Sequence, residues 1–520
     1  MKRQPLFISL IVVIALLARI IPGARTIDDA YITFRYARNI LAGEGMVFNP
    51  GERVMGTSTP LYTGFLAITG WFLGGTQAQF PEISSWINAL FDALTCILLW
   101  KLGSRANQPI AGTASALVWA IAPFSVTFAI GGLETSLYIF LLVASVLCYQ
   151  TAHFQAAWIL CTLALITRPD ALILIFLLGF HRLITTFRKF PLKHWLREFY
   201  PAFSIGFLWL AFALIYFGSP IPHSILAKTY AYLLDPASAL IRFLQHYATP
   251  FMDGNFLPGN FILAGLFLYP FLFLVGARKV TRQFPALLPF ALYPWLYLLV
   301  FAIQNPLVFR WYLTPPLPAY YFFILAGAIG LSRDVLNWAA STIRLSSTRQ
   351  VFHALSPALI GLICLYPFSA SLSDWRTHPD HGPDRPAPDM AYIELEGLYH
   401  QAATFLNPRL TTASLLAAGD VGVLGYDTPA RILDTVGLNS PVTLNYYPAD
   451  RALYTINYAI PPELILEQEP DFLVILEVYG RNGLLADTQF KRKYQLIHTF
   501  PTNIYGSKGM LVFEKIAAEN

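Results

Sequence analysis

Charge is scarce in this chain of 520 residues: 12% are Asp, Glu, Lys or Arg, against about 25% in a soluble globular protein. Together with a 56% hydrophobic content, that shortage excludes an ordinary soluble protein. Cysteine is nearly absent too. Cys96, Cys148, Cys161 and Cys364 all fall in apolar runs without metal-ligand spacing, which excludes a cysteine metal site and leaves buried packing. The net charge of +5 comes from cations scattered over short loops, not from one stripe, so nucleic acid is excluded as a partner. There is no P-loop: Gly43, Gly45 and the Asn49-Pro50-Gly51 run are turn chemistry that folds the chain back on itself. No internal repeat is visible.

What is abundant is long apolar runs. A membrane-spanning helix needs about 20 such residues. Runs at 5–22, 84–103, 109–129, 134–150, 155–167, 170–184, 200–217, 257–276, 284–303, 311–331 and 352–371 predict a polytopic α-helical membrane protein of about eleven helices. Met1-Lys2-Arg3 could open a signal peptide. The first run is long enough to span, however, and no small-x-small site precedes Asp28, so an uncleaved first helix is expected.

The positive-inside rule orients the bundle. Lys2 and Arg3 place the N-terminus in the cytoplasm. If 59–74 does not cross, Lys101 and Arg105 also fall inside, as do Arg182, Arg188, Lys189, Lys193 and Arg197, then Arg278, Lys279 and Arg282, then Arg333, Arg344 and Arg349. The short, glycine-containing run 59–74 is therefore expected to be a half-buried helix on the outer surface. The expected organisation is a transmembrane unit over 1–372 with a long external loop at 23–83, a polar proline-rich linker at 373–390, and a small soluble α/β domain at 391–520, outside the membrane and without a disulfide. Strand-like runs there are SLLAAGDVGVLGY, DFLVILEVYG and GMLVFEKI.

This topology collects the unusual polar residues on one face: Asp28, Asp29, Glu134, Arg168, Asp170, His223, Lys228 and Arg310. Singly, each reads as a helix-end charge reaching water. Ionisable residues at a membrane edge are nonetheless functional candidates. Asp28 and Asp29 are adjacent carboxylates. They suit a general base or a metal ligand, and an N-cap explains one of them better than both. If the following segment is helical, Asp28, Tyr31, Arg35 and Arg38 share one face. Lys228, Arg168 and Arg310 are cations able to hold a phosphate; lipid-headgroup anchoring, or a local pair such as Arg168 with Asp170, is the alternative. A carboxylate base beside phosphate-binding cations, with apolar helices for a lipid tail, suits group transfer from a lipid-linked phosphate.

The stretch DDAYITFRYARNILAGEGMVFNPGERV resembles the first external loop of the GT-C superfamily of integral-membrane glycosyltransferases, and is most similar to the branch containing the mycobacterial terminal arabinofuranosyltransferases. GLETSLY, TRPDAL, HSILAKTY and RWYLTPPLP recur in that branch's order, and GDVGVLGY followed by ILDTVGLNSP resembles the start of its C-terminal domain. Where the branch often reads EGYTNP, this chain has MGTSTP at 55–60, without the aromatic.

The resemblance implies a GT-C fold and an inverting glycosyltransferase of the cell membrane. Its donor would be a polyprenyl-phosphate sugar of arabinofuranosyl or mannosyl type, and its acceptor a glycan, lipid or protein. One of Asp28 and Asp29 would deprotonate the acceptor hydroxyl. Lys228, Arg168 and Arg310 would stabilise the leaving phosphate. Glu134, with Tyr31, Arg35, His223 and Asp170, would meet sugar or acceptor hydroxyls. No cofactor is required; a divalent cation (Mg or Mn) at Asp28 and Asp29 stays open, because metal dependence varies across the superfamily. Two other classes compete. A transporter or flippase for lipid-linked sugars would place its ionisable residues near the bilayer midplane, and a non-catalytic assembly protein would tolerate loss of the acidic pair.

Overall fold

A computed structural model of the chain describes residues 4–186, 191–252, 259–342, 346–377, 384–390 and 393–516. Lys2, Arg3, Arg188, Lys189, Arg344 and part of the expected linker (378–383) lie outside the described residues.

The helical part opens with α1 (Gln4–Ile20), α2 (Asp28–Leu41), α3 (Pro60–Phe72), α4 (Phe80–Arg105), α5 (Pro109–Ile121), α6 (Pro123–Ile130), α7 (Thr135–Gln150) and α8 (Phe154–Thr167). It continues through α9 (Leu172–Thr186), α10 (Leu192–Phe217), α11 (His223–Ala231), α12 (Ser238–Ala248), α13 (Gly259–Gln283), α14 (Leu288–Gln304), α15 (Leu317–Thr342) and α16 (Ser346–Leu372). Among the described residues, six helices are long and apolar enough to cross a membrane, or seven if a bent pair counts as one span. The expected figure of eleven depends on adding shorter apolar helices such as Thr135–Gln150 and Phe154–Thr167. The chain is an integral membrane protein.

The run expected as one span over 109–129 is two helices, α5 and α6, bent by 44°. The cause is Pro123. It has no N–H to donate back into the helix and it pushes Ala122 to extended backbone, φ −57° and ψ 132°. Helix α3, at 13 residues, is about 20 Å long, shorter than the roughly 30 Å hydrocarbon core. Tyr62, Thr63, Leu66 and Ala67 are buried on one side of it, while Ile68, Trp71 and Phe72 are exposed.

One ion pair sits wholly inside the bundle and joins helices far apart in sequence. Arg19 Nε meets Asp92 Oδ2 at 2.9 Å, both fully buried. Trp119 Nε1 and Ser136 Oγ also donate to Asp92, at 3.0 and 2.9 Å, and Arg19 Nη2 donates to Ser125 Oγ at 3.0 Å. The pair and its hydrogen-bond partners crosslink α1, α4, α5, α6 and α7. Elsewhere the helices approach through glycine. A Cβ on Gly276 would strike the Phe323 carbonyl, and one on Gly327 would strike the Leu272 carbonyl, so α13 and α15 lie backbone to backbone.

The chain after α16 forms the small α/β domain. A two-residue antiparallel pair, β1 (Trp375–Arg376) and β2 (Ala387–Pro388), precedes α17 (Ile393–Leu406). Five strands follow: β3 (Leu415–Ala418), β4 (Arg431–Asp434), β5 (Phe472–Leu476), β6 (Tyr494–Phe500) and β7 (Met510–Lys515), in spatial order β4-β3-β5-β7-β6. β3 pairs in parallel with β4 and β5, while β7 runs antiparallel to β5 and β6. The run SLLAAGDVGVLGY is a strand only over its first part. After Asp420 it turns into the six-residue helix α18 (Gly422–Asp427). β4 and β6 were not in the sequence reading: β4 has only four residues, and β6 is a half-exposed edge strand with a register irregularity.

The Gly276/Gly327 contact is testable. Gly327→Val should cost about 1–3 kcal/mol of stability, as overpacking does, and lower the unfolding midpoint of the detergent-solubilised protein. Gly361→Ala, at a site with nothing within 4 Å, should leave the midpoint unchanged or raised.

Candidate active site

The acidic pair opens α2, yet neither carboxylate caps that helix: its N-cap is Ile27, without a side-chain bond. Asp28 caps a different helix. Its Oδ2 accepts from Gly422 N–H at 2.9 Å and its Oδ1 from Val423 N–H at 2.8 Å, at the start of α18. The Asp28 backbone N–H donates in turn to Glu396 Oε1 on α17, at 2.8 Å. A Cβ on Gly422 would strike the Asp28 carbonyl, so only glycine allows this approach. Asp28 is thereby committed to joining α2 to the C-terminal domain.

Asp29, one residue on, is a third exposed, and its Oδ2 lies 3.7 Å from Lys228 Nζ of α11. The Lys228 ammonium stands 4.8 Å above the Phe309 ring. Burial opposes its charge, but Tyr312, Asp29 and Glu134 outweigh that and hold its pKa above the ordinary lysine value. Behind the pair stands a second group. Arg168 Nε and Nη2 donate to the two oxygens of Asp170, both at 3.0 Å, and Nη1 donates to Glu134 Oε1 at 3.3 Å. Tyr297 OH donates to Asp170 Oδ2 at 2.7 Å, and the Arg168 guanidinium lies over the rings of Tyr138 and Tyr312. Arg168 thus forms the local pair with Asp170 and a further one with Glu134. Arg310 lies apart from this group, its guanidinium 5.7 Å from the Phe124 ring centre.

Asp28 and Asp29 line a cavity of about 470 Å³ between the helical part and the C-terminal domain. Tyr232, Phe309 and Trp311 line it from the helical side; Glu396, Asp420, Tyr458 and Tyr479 line it from the domain. Glu396 and Asp420 are functional candidates that the sequence reading missed. Burial, then the nearby Asp28, pushes Glu396 up to about 10. Burial, opposed by the Tyr399 hydrogen bond and reinforced by Asp29, raises Asp420 to about 6. Asp28 is likewise well above the ordinary aspartate value, through burial and the charge of Asp420. Asp420 carried a faint signal, as the only charged residue of the GDVGVLGY run. Glu396 carried none, since it reads as an ordinary polar position of an amphipathic helix. Among the described residues, no three His, Cys, Asp or Glu side chains are grouped to hold a metal.

Three expected sugar contacts lie elsewhere. Arg35 is buried at 4% exposure and points away from the cavity. Its Nε donates to Phe48 O at 2.7 Å and its Nη2 to Ala430 O at 3.0 Å, while Nη1 reaches Gly425 O. Tyr31 packs edge-on against His400 and is tilted against Tyr426. His223 Nδ1 lies 2.9 Å from Gly437 O. All three join the first loop or α11 to the C-terminal domain. Asn49 does the same, donating to Ile432 O at 2.9 Å and accepting from Ile432 N–H at 3.0 Å. Arg35, Tyr31 and His223 read as site residues because they are polar and fall on the same face as the acidic pair, and their contacts with the C-terminal domain appear only in the folded chain.

Known proteins resemble the chain at three levels. A protein-family model described as "Domain of unknown function (DUF8728)" matches residues 389–513. The terminal β-(1→2)-arabinofuranosyltransferase of Mycobacterium tuberculosis (strain ATCC 25618 / H37Rv) is 30% identical over 218 residues, or 39% of this chain. That match spans 34%, about a third, of the relative's own length.

The fold is shared with solved structures across nearly the whole chain. The Archaeoglobus fulgidus oligosaccharyltransferase tethered to an acceptor peptide aligns with a TM-score of 0.55 at 15% identity, covering 99% of this chain and 74% of that one. ArnT from Cupriavidus metallidurans bound to undecaprenyl phosphate aligns with a TM-score of 0.53 at 13% identity, covering 99% and 98%. Its apo form aligns with a TM-score of 0.56 at 12% identity, covering 99% and 98%. At such identities the likeness is one of architecture: the fold is the GT-C fold that the motifs implied.

The seam makes stability depend on pH. Glu396, at about 10 in the folded chain against about 4.3 unfolded, keeps a proton that the unfolded chain loses between those values. Stability from the neutral carboxyl is therefore largest at low pH and falls as pH rises through that window; raised values at Asp28 and Asp420 act in the same direction. Glu396→Gln, which mimics the neutral acid, should flatten the fall of the unfolding midpoint between pH 5 and 9 and leave the protein at least as stable at pH 8. An unchanged slope would show that Glu396 is ionised in the folded protein.

Proposed function

We propose that the chain is an inverting GT-C glycosyltransferase. It takes a sugar of arabinofuranosyl or mannosyl type from a polyprenyl-phosphate donor to a cell-envelope acceptor on the outer face of the membrane. The observation that carries this reading is the Asp29–Lys228 pair, a carboxylate and an ammonium 3.7 Å apart at the edge of the cavity. An acceptor hydroxyl attacks the anomeric carbon of the donor and gives its proton to Asp29, while the bond from that carbon to the phosphate oxygen breaks. Lys228 meets the negative charge that grows on the departing phosphate, which is where an electrostatic contact lowers the barrier. One displacement inverts the anomeric centre, so one carboxylate base is enough. With no donor bound, Lys228 keeps Asp29 company. An arriving phosphate competes for the lysine and leaves the carboxylate facing the acceptor.

Asp28 takes no part in the proton transfer under this reading; it positions Asp29. Arg168 adds positive field behind Lys228, offset by Asp170 and Glu134; Arg310, over the Phe124 ring, is left without a direct role in this step. The Mycobacterium relative is by name an arabinofuranosyltransferase, and one of the ArnT structures holds undecaprenyl phosphate; both support a lipid-phosphate sugar donor here. In this reading the N-terminus is cytoplasmic, residues 1–372 are the catalytic unit, and residues 391–520 are extracytoplasmic. No observation favours transport: the candidate groups gather at the seam with the C-terminal domain, and the buried Arg19–Asp92 pair is taken up in hydrogen bonds between helices.

Purified protein in lipid, given radiolabelled polyprenyl-phosphate arabinose or mannose and a mixed glycan acceptor pool, tests the reading. Asp29→Asn should retain donor binding and lose transfer by about 10²–10⁴-fold, the usual worth of a general base. Lys228→Met should weaken both donor binding and rate. Asp28→Asn should lower the unfolding midpoint more than Asp29→Asn does. Wild-type transfer rates in Asp29→Asn would remove Asp29 from the chemistry.

A further inference from the structure

The transferase reading leaves open which surface receives the acceptor, and the C-terminal sheet offers an answer. Strands β4, β3 and β5 run parallel side by side. Their carboxyl ends all open on the cavity: Gly419 and Asp420 follow β3, Val436 follows β4, and Tyr479 follows β5. In open α/β sheets, ligands bind in the crevice beyond the carboxyl ends of parallel strands. That placement is a property of the sheet and owes nothing to the acidic pair on α2.

The chemistry of this wall is specific. The Asp420 carboxylate lines the cavity while Tyr399 OH donates to its Oδ2 at 2.9 Å, which fixes its orientation. Tyr458 and Tyr479 meet edge to face at 5.0 Å, and Tyr232 lies 5.9 Å from Tyr458, forming an aromatic surface. Tyr458 OH is held by Thr435 at 2.7 Å. Among the described residues no lysine or arginine lines the cavity from the C-terminal domain, whereas Lys228 stands beside Asp29 on the helical side, so it is the domain's wall that is unsuited to a phosphate. A fixed hydrogen-bond acceptor beside aromatic rings suits a neutral polyhydroxylated molecule, whose hydroxyls donate and whose C–H faces pack on the rings.

We propose that the C-terminal domain binds the acceptor and that the acceptor is a glycan chain. Asp420 accepts hydrogen bonds from its hydroxyls, Tyr458 and Tyr479 pack on its sugar rings, and the reacting hydroxyl faces Asp29 across the cavity. The inference rests on the transferase reading for the reaction, but not for the binding. The domain then acts as an acceptor-selecting wall of the active site, and the Asp28 contact with α18 sets that wall at its distance from the base.

The test uses the full-length protein in nanodiscs, without donor, titrated with a linear arabinofuranose oligosaccharide and with a mannan oligosaccharide by calorimetry and saturation-transfer NMR. The wild type should bind one of them. Asp420→Asn and Tyr479→Ala should each weaken binding at least tenfold, and Tyr479→Phe should restore it. In turnover, Asp420→Asn and Tyr479→Ala should raise the acceptor KM at least tenfold and leave the donor KM unchanged, with unfolding midpoints recorded to confirm folding. Absence of oligosaccharide binding by the wild type, or unchanged affinity in both variants, overturns the proposal. A wild type that binds oligosaccharide through Asp420 and Tyr479 but transfers no sugar keeps this inference and removes the transferase reading. Transfer with an acceptor KM indifferent to both variants does the reverse.

Discussion

Two backbone amides on a six-residue helix, held by a carboxylate 394 and 395 residues away in sequence, set the geometry of the seam. Asp28 supplies the N-terminal hydrogen-bond acceptors that α18 otherwise lacks. The consequence for Asp29 is geometric. Successive side chains on an α-helix diverge by about 100°, so fixing Asp28 into the C-terminal domain turns Asp29 out of it. An adjacent acidic pair is then no redundancy: one member sets the direction of the other. The same contact brings four acids, Asp28, Asp29, Glu396 and Asp420, around one cavity. The repulsion this creates is met by protonation, which burial favours.

Around that contact the cavity has two unlike walls. On the helical side Phe309 and Trp311 line it, and Lys228 stands beside Asp29 at its edge, where a lipid-borne phosphate would arrive under the transferase reading. On the domain side stand a carboxylate and tyrosines, with no cation among the lining residues. Chemical asymmetry of this kind suits two substrates that differ in charge. Clamps distributed along the first loop and α11 (Arg35, Tyr36, Asn49 and His223) hold the walls together, each making at least one hydrogen bond into the C-terminal domain. Their number explains why a short, turn-rich loop at Gly43, Gly45 and Gly51, all at positive φ, is well placed: glycine lets the chain reverse tightly enough to lie along the domain.

The apolar runs were legible as helices because lipid leaves the backbone no partner but itself. The break at Pro123 was legible in principle, as its missing N–H is written in the sequence, yet the surrounding hydropathy hid it. The strands of the small domain were legible where they are buried on both faces, as with Phe472–Leu476. They were lost where they are short or half exposed, as with Arg431–Asp434 and Tyr494–Phe500. At the site, Asp29 and Lys228 could be picked out as charges near apolar runs. Arg35, Tyr31 and His223 showed the same outward signs, and Arg35 and Tyr31 turned out to be buried in the seam and His223 half-buried there, since a lone polar residue looks alike in sequence whether it meets a ligand or a distant carbonyl.

The sequence by itself determined that the chain lies in a membrane, roughly where its apolar helices run, and that an acidic pair and several cations gather beside the bundle. These are local properties, fixed by hydropathy, proline and the register of a helix. Only the tertiary structure decided which aspartate is bonded into the C-terminal domain, which cations are already paired, and that Glu396 and Asp420 line the same cavity. Those outcomes depend on contacts between segments hundreds of residues apart, and a local pattern carries no information about which distant amide a carboxylate will meet.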